Sequence, residues 1–354
     1  MARYSRRDVL RLGALGILAA AAEAVVAACG SRLPALRSQP PAATAVPTTP
    51  SLEPTSVSTD TPAATESPVP SASTSASVTS SASASGIPDL VAVKGTDPET
   101  IVRAAVEALG GMGRYVRPGA KVVVKPNVCV SYRTYQYAAT TNPWVVGALV
   151  KMAIEAGAAS VRVMDFPYGG DAATAYSTSG IAAQVKAAGG QMVVMSGRGW
   201  VNTKIPKGKW LRQAAIYQDI LKADVIINVP IAKTHGSARL TLGMKNLMGI
   251  VKDRPTMHGN LHQAIADLNT VVKPQLTVVD AVRILTANGP SGGRLKDVKT
   301  LNTVIASPDV VAADSYAAGL FGVKPSSLGY VKIGAAMGLG QSDLSKLNVR
   351  EIAL

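Results

Sequence analysis

The stretch AKTHGSARLTLGMKNLMG, residues 232–249, gathers the groups best suited to chemistry in this 354-residue chain. Lys233, His235, Arg239 and Lys245 concentrate positive charge there, and His235 is one of only three histidines in the sequence. Gly236, Gly243 and Gly249 would let the backbone come close to a bound group. A carboxylate or phosphate suits such a segment, the more so if Met244–Leu247 opens a helix whose free amides point at the anion. Leu242, Met244, Leu247 and Met248 flank Lys245 and Asn246, so these polar groups are read as half buried rather than freely solvated. His235, set among cations, is the favoured acid–base group.

Other polar residues stand where apolar β-branched runs stop. Lys121–Val124 runs into Lys125-Pro126-Asn127, Val161–Met164 into Asp165, Val225–Val229 into Pro230 and the basic stretch, and Leu276–Val279 into Asp280. A buried strand has no need of these groups, whereas in an open parallel sheet the carboxyl ends of the strands face one crevice. The expected catalytic set is His235 and Lys233 with Asp165 or Asp280 as carboxylate partner; the expected binding set is Lys125, Asn127, Lys245 and Asn246. The glycine-marked turn at 288–293 adds backbone amides able to cradle an anion, with Ser291, Gly292 and Gly293 as its contacts. His258 and His262 have the His-x-x-x-His spacing that presents two imidazoles to a metal on one helix. Asn260 followed by Gln263 reads instead as a capping box, which starts the helix between the two histidines. A metal at that pair would need His235 and an aspartate to join it.

The elements that must position these groups alternate between β-branched runs and helical patterns, the mark of parallel strands with crossover helices. Strands are predicted at Leu90–Val93, Lys121–Val124, Val161–Met164, Gln191–Met195, Val225–Val229 and Leu276–Val279. Helices are predicted at Asp97–Leu109, Pro143–Ala156, Thr178–Ala188 and Asn260–Val272, with Asp97 and Asn142 as N-caps ahead of a proline. A final section, with helices at Pro308–Leu320 and Ser326–Met337 and a strand at Val349–Ile352, completes the sheet or forms a smaller subdomain beside it. The fold class is α/β with a mostly parallel sheet.

Composition divides the chain at about residues 29 and 87. Ser5-Arg6-Arg7-Asp8-Val9-Leu10-Arg11, an Ala/Gly/Leu-rich run and Val26-Ala27-Ala28-Cys29 make residues 1–29 similar to a twin-arginine export signal ending in a lipobox. Their apolar run is short of the roughly 20 residues a spanning helix needs. Cleavage would leave Cys29 lipidated, anchoring the protein at the outer face of the cytoplasmic membrane or elsewhere in the envelope. Residues 30–87, dominated by Pro, Ser, Thr, Ala and Val without an aromatic, cannot bury a core and read as a disordered tether. Residues 88–354 are the folded domain. Six of the 36 basic and five of the 22 acidic residues precede it, leaving it with a net charge of +13. Such a surplus favours anionic partners, a small ligand above all, and export with few aromatics argues against nucleic acid. With Cys29 lipidated, Cys129 alone cannot make an iron–sulfur cluster, a disulfide or a cysteine-rich zinc site. No dinucleotide-binding glycine fingerprint or P-loop is present.

The succession VVVKPNV, ATTNPWVV, EAGAASVRVMDFP, ADVIINVPIAKTHGSARLTLGMKNLMGIV, LHQAIADLN, LTVVDAV, NGPSGG and SPDVVAADSYAA resembles the DUF362 family from Val91 to Gly340. That resemblance implies a functional role for the basic stretch. Many members of the family carry ferredoxin-like iron–sulfur modules, for which this chain has too few cysteines. The stretch is also similar to the nickel-pincer lactate racemases in its order of strand, Lys/His pair, glycines and downstream histidine, although their Asp-x-Thr-Arg-Pro motif is missing. This similarity implies Lys233 as a cofactor anchor, with His235 and His258 or His262 as metal or proton groups. The expectation is an exported, lipid-anchored protein that binds an anionic small molecule or an unidentified cofactor, a metal among the candidates. The alternative is a non-catalytic envelope lipoprotein that binds a solute or an acidic cell-wall polymer.

Overall fold

The structure is a computed structural model that describes residues 86–291 and 293–354; the segment read as an export signal, with Cys29, the segment read as a tether, up to Ser85, and Gly292 lie outside the described residues. Strands β1 (Leu90–Lys94), β2 (Lys121–Pro126), β3 (Ser160–Val163), β4 (Gln191–Met192), β5 (Trp200–Lys204) and β6 (Gln213–Tyr217) are followed by β7 (Val225–Val229), β8 (Ile231–His235), β9 (Arg239–Thr241), β10 (Leu276–Leu285), β11 (Val298–Ser307) and β12 (Val349–Ala353). Interleaved are helices α1 (Pro98–Ala108), α2 (Pro143–Glu155), α3 (Ala172–Thr178), α4 (Ile181–Ala187), α5 (Gln218–Leu221), α6 (Gly243–Asn246), α7 (Leu261–Asn269), α8 (Val310–Gly319) and α9 (Gly329–Ala336).

The ten-stranded sheet has the order β12-β1-β11-β10-β7-β2-β3-β4, with β8 alongside β10 and β9 paired to β8; β5 and β6 form a separate hairpin. Strand β2 is parallel to β3 and β7, β3 to β4, β10 to β7 and β8, and β1 to β12, while β11 is antiparallel to both neighbours. The fold is thus α/β with a mostly parallel sheet, and β12 pairs with β1 to complete that sheet.

Side chains alternate across a strand, so a sheet covered on both faces must be apolar at successive positions. Leu90 and Ala92 enter one core while Val91 and Val93 enter the other, and Val123 is likewise separated from Val122 and Val124. Residues of α1, α2, α3 and α4 close the core on the Val91 side; α6, α7, α8 and α9 close it on the Leu90 side. The helices begin where the sequence supplies caps. Asp97 Oδ1 accepts the Thr100 amide at 2.8 Å and Asn142 Oδ1 the Trp144 amide at 3.0 Å, each worth about 1 kcal/mol. Among the described residues no helix is long and apolar enough to cross a membrane.

Four expectations fail for physical reasons. The helix predicted from Thr178 to Ala188 starts only at Ile181, because Thr178 ends the separate α3 and Gly180 between them has a φ of +79° that a helix does not tolerate. The basic stretch after Pro230, for which no strand is predicted, opens with one. Proline has no amide to continue the ladder of β7, and the chain re-enters beside β10 as β8, with Lys233 in register with Leu285. The strand predicted to stop at Asp280 runs on to Leu285, which places Asp280 in mid-strand. Finally, Asn260 flanks α7 without a side-chain cap bond, so the capping box is not formed. The pairs β5–β6 and β8–β9 and the strand β11 have no counterpart among the predicted elements.

Candidate functional site

Connections from β2 lead outward to β3 and β4, and the chain then returns to place β7 on the other side of β2. Open α/β sheets bind ligands outside the carboxyl ends of their strands at such a reversal. Here those ends open into a cavity of about 710 Å³, lined by Lys125 near the end of β2 with Asn127 and Cys129 after it, Asp165, Phe166 and Tyr168 after β3, and Lys233 and His235 from β8. Lys245, Asn246 and Gly249 line it from α6 and the turn that follows, Arg254 and His258 from the next segment, and Gly289, Pro290 and Ser291 from the turn beyond β10.

Lys125 is fully buried, and its ammonium donates to Pro126 O and Asn246 Oδ1, both at 2.9 Å. It stands 2.8 Å from Asp165 Oδ1, a contact of opposite charges rather than an aligned hydrogen bond. Asp165 Oδ2 accepts the Val128 amide at 2.6 Å. Burial pushes the Lys125 amine below the ordinary lysine range, and the Asp165 charge works against that shift. The backbone at Gly249 lies so close that an added Cβ would overlap Asp165 Oδ1 and stand 2.6 Å from Lys125 Nζ. Only glycine permits this approach.

A chain of side-chain amides links the lysines. Asn228, fully buried in β7, accepts the Asn246 side-chain amide at 2.9 Å; Asn246 Oδ1 accepts Lys125 and also Asn127 Nδ2 at 2.9 Å; Asn127 Oδ1 accepts Lys233 Nζ at 2.9 Å. Lys233 donates further to Ala139 O. Its burial lowers the amine's proton affinity, and the neighbouring Cys129 thiol works the other way.

His235 accepts the amides of Ser237 and Ala238 at Nδ1, at 3.1 and 3.3 Å, which leaves the proton on Nε2. Burial, then the charges of Lys245 and Lys233, depress its pKa to about 3. At neutral pH it is therefore a neutral Nε2–H donor. No carboxylate pairs with it among the described residues, so Asp165 and Asp280 do not serve as its partners. Lys245 is 9 % exposed and has no hydrogen-bond acceptor for Nζ among the described residues. Burial and the charge of Lys233 lower its pKa to about 7. The short helix that carries it is fixed by Asp314 of α8, whose carboxylate accepts the amides of Gly243 and Met244. Burial raises the Asp314 carboxyl to about 7.

The crevice therefore unites Lys125, Asn127, Asp165, Lys233, His235, Lys245, Asn246 and Ser291 of the predicted residues. Asp280 lies outside it. It is fully buried, its oxygens accept the amides of Asn142 at 2.7 Å and Val282 at 3.0 Å, and burial raises its carboxyl to about 7. Its work is to tie β10 to the start of α2. Gly293 is buried against Leu285 outside the cavity lining. Of the two distal histidines, His258 lines the crevice, whereas His262 is stacked on Tyr330 with ring centroids 6.1 Å apart. Among the described residues no three or more of His, Cys, Asp and Glu converge as a metal site. His235 and His258 stand beside Lys233, Lys245 and Arg254, whose charge opposes a bare cation, so the lining suits an anion better than a metal.

Sequence reading missed Arg254, Asn228 and Asp314. Arg254 donates to Phe166 O and Pro167 O, both at 2.8 Å, and its guanidinium lies 4.8 Å from the centroid of the Phe166 ring. Asn228 was legible as the polar interruption in the apolar strand VIINV. Asp314 lies within an apolar helix pattern, where its type alone could have marked it.

A mostly parallel α/β sheet with a basic crevice at its strand reversal defines a class of ligand-binding folds rather than one activity. The chain belongs to the DUF362 family, a domain of unknown function whose family model matches residues 122–319. It is 28% identical over 242 residues to the thylakoid-associated protein sll1697 of Synechocystis sp., a match covering 64% of this chain and 71% of that protein. Among solved structures it is similar to the lactate racemase apoprotein of Thermoanaerobacterium thermosaccharolyticum, with a TM-score of 0.39 and 14% identity. That match covers 65% of this chain and 56% of the racemase chain, and it carries no argument about chemistry.

Proposed function

We propose that this protein is exported, held to a membrane by lipid on Cys29, and binds an anionic small molecule or cofactor in the crevice at the ends of β2, β3 and β7. One observation carries the binding reading: Lys125, Lys233, Lys245 and Arg254 converge on a cavity to which the described residues contribute a single carboxylate, Asp165. Buried cations without matching anions are costly, and a ligand bearing carboxylate or phosphate relieves that cost. The volume suits a molecule of cofactor or metabolite size. Arg6-Arg7 and the Val26–Cys29 motif support export and anchoring, and the name of the thylakoid-associated relative points toward a membrane as well. The test is native mass spectrometry of the protein purified from its own host, followed by calorimetric titration with phosphate- and carboxylate-bearing compounds. The expected result is a bound acidic species whose affinity falls in Arg254→Ala. A ligand-free protein that no such compound binds at millimolar concentration overturns the reading.

A further inference from the structure

The three crevice lysines are not equivalent. An ammonium has three protons to donate and no acceptor site. Lys125 spends its protons on Pro126 O, Asn246 Oδ1 and the Asp165 contact, and Lys233 has Asn127 Oδ1 and Ala139 O beside the Cys129 thiol. Both are locked by protein acceptors. Lys245 Nζ meets no acceptor among the described residues, lies on the cavity wall, and is crowded by like charges from Lys233, Arg254 and Lys125, with His235 and His258 on the same lining. Crowding of this kind favours the neutral amine, the form with a lone pair to share.

We infer that Lys245 is the nucleophile of the crevice, placed to form an imine with the carbonyl of an anionic aldehyde or ketone. This rests on the anion-binding reading. The Nζ lone pair attacks the carbonyl carbon, a carbinolamine forms, and the oxygen leaves as water with both amine hydrogens, so no oxidant or reductant is consumed. His235 offers Nε2–H to the carbonyl oxygen, since its Nδ1 is committed to the Ser237 and Ala238 amides. Arg254, anchored through Phe166 O and Pro167 O, supplies charge for the ligand's anionic group. With a pKa of about 7, Lys245 holds on the order of a thousandfold more free amine at pH 7 than an ordinary exposed lysine.

Pyridoxal 5′-phosphate, an aldehyde bearing a phosphate, and pyridoxine 5′-phosphate, which lacks the carbonyl, form the pair of probes. The protein is incubated at pH 7 with stoichiometric pyridoxal 5′-phosphate, reduced with sodium borohydride and mapped by peptide mass spectrometry; binding of pyridoxine 5′-phosphate is measured by calorimetry. The expected result is one reduced adduct on Lys245, suppressed by excess pyridoxine 5′-phosphate and lost in a folded Lys245→Met. The site of the adduct on the native chain decides the matter even if that variant does not fold. If pyridoxine 5′-phosphate binds but the adduct is scattered over other lysines, the imine inference is wrong and the anion-binding reading stands. If neither compound binds, both fall.

Discussion

Replacing Asp165 with asparagine removes the one carboxylate that the described residues contribute to the crevice while keeping an oxygen for the Val128 amide. The Lys125–Asp165 contact has side-chain exposures of 0% and 4%, so solvent does little to screen it. Removing one partner of a buried ion pair costs about 3–5 kcal/mol, because the remaining charge is left unpaired away from water. For a domain of this size that is a fall in Tm on the order of 10 °C. Much of the cost belongs to the stranded ammonium rather than to the lost contact, so Lys125→Met in the Asp165→Asn background should recover part of it. Urea unfolding of the four proteins of this double-mutant cycle measures the coupling. A loss below about 1 kcal/mol for Asp165→Asn, or strict additivity of the two changes, would refute the claim that the pair is desolvated and coupled.

Gly249→Ala, which drives a methyl into the same pair, should lose at least as much stability as Asp165→Asn and abolish anion binding by calorimetry. Asp280→Leu strands the amides of Asn142 and Val282 and should cost about 1–3 kcal/mol per amide in urea unfolding, yet leave anion affinity unchanged, since Asp280 lies outside the crevice. Lys245 has a folded pKa of about 7 against about 10.4 unfolded, so between these values the unfolded chain binds the additional proton and stability rises with pH. Lys245→Met should flatten that rise in unfolding measurements from pH 7 to 10 and stabilise the protein at pH 7 by about 1–3 kcal/mol.

The central sheet was legible because its strands are buried on both faces, and continuous β-branched runs such as VVVK and VIINV leave little else for the chain to form. Strand β11 escaped notice because its first half is only partly buried and mixes lysine, threonine and asparagine among its apolar residues. The β8–β9 pair was hidden for a different reason: lysine, histidine and arginine in so few residues look like a loop, and only the register against β10 makes them a strand. Polar groups at strand ends led to Lys125, Asn127, Asp165 and Lys233. The same rule misplaced Asp280, because a strand's end depends on its neighbours: β11 pairs with β10 as far as Leu285 and carries the ladder past the aspartate. His235 was read as an acid–base group from its type alone, and the local turn that occupies Nδ1 is a tertiary detail no spacing reveals.

The strand reversal at β2 and β7 bears on how the site comes into being. Lys233, His235, Lys245, Arg254 and His258 lie within one stretch of the sequence, whereas Lys125 comes from a segment more than a hundred residues earlier, and β2, β3 and β7 must lie side by side before it joins them. A chain in which β2 and β7 are not yet adjacent offers no complete crevice. A ligand of the proposed kind would bind the completed fold, and the resistance to unfolding it adds would grow with its free concentration relative to its dissociation constant. Occupancy and folding would then become one equilibrium, in which such a ligand arrives last and leaves before the sheet comes apart.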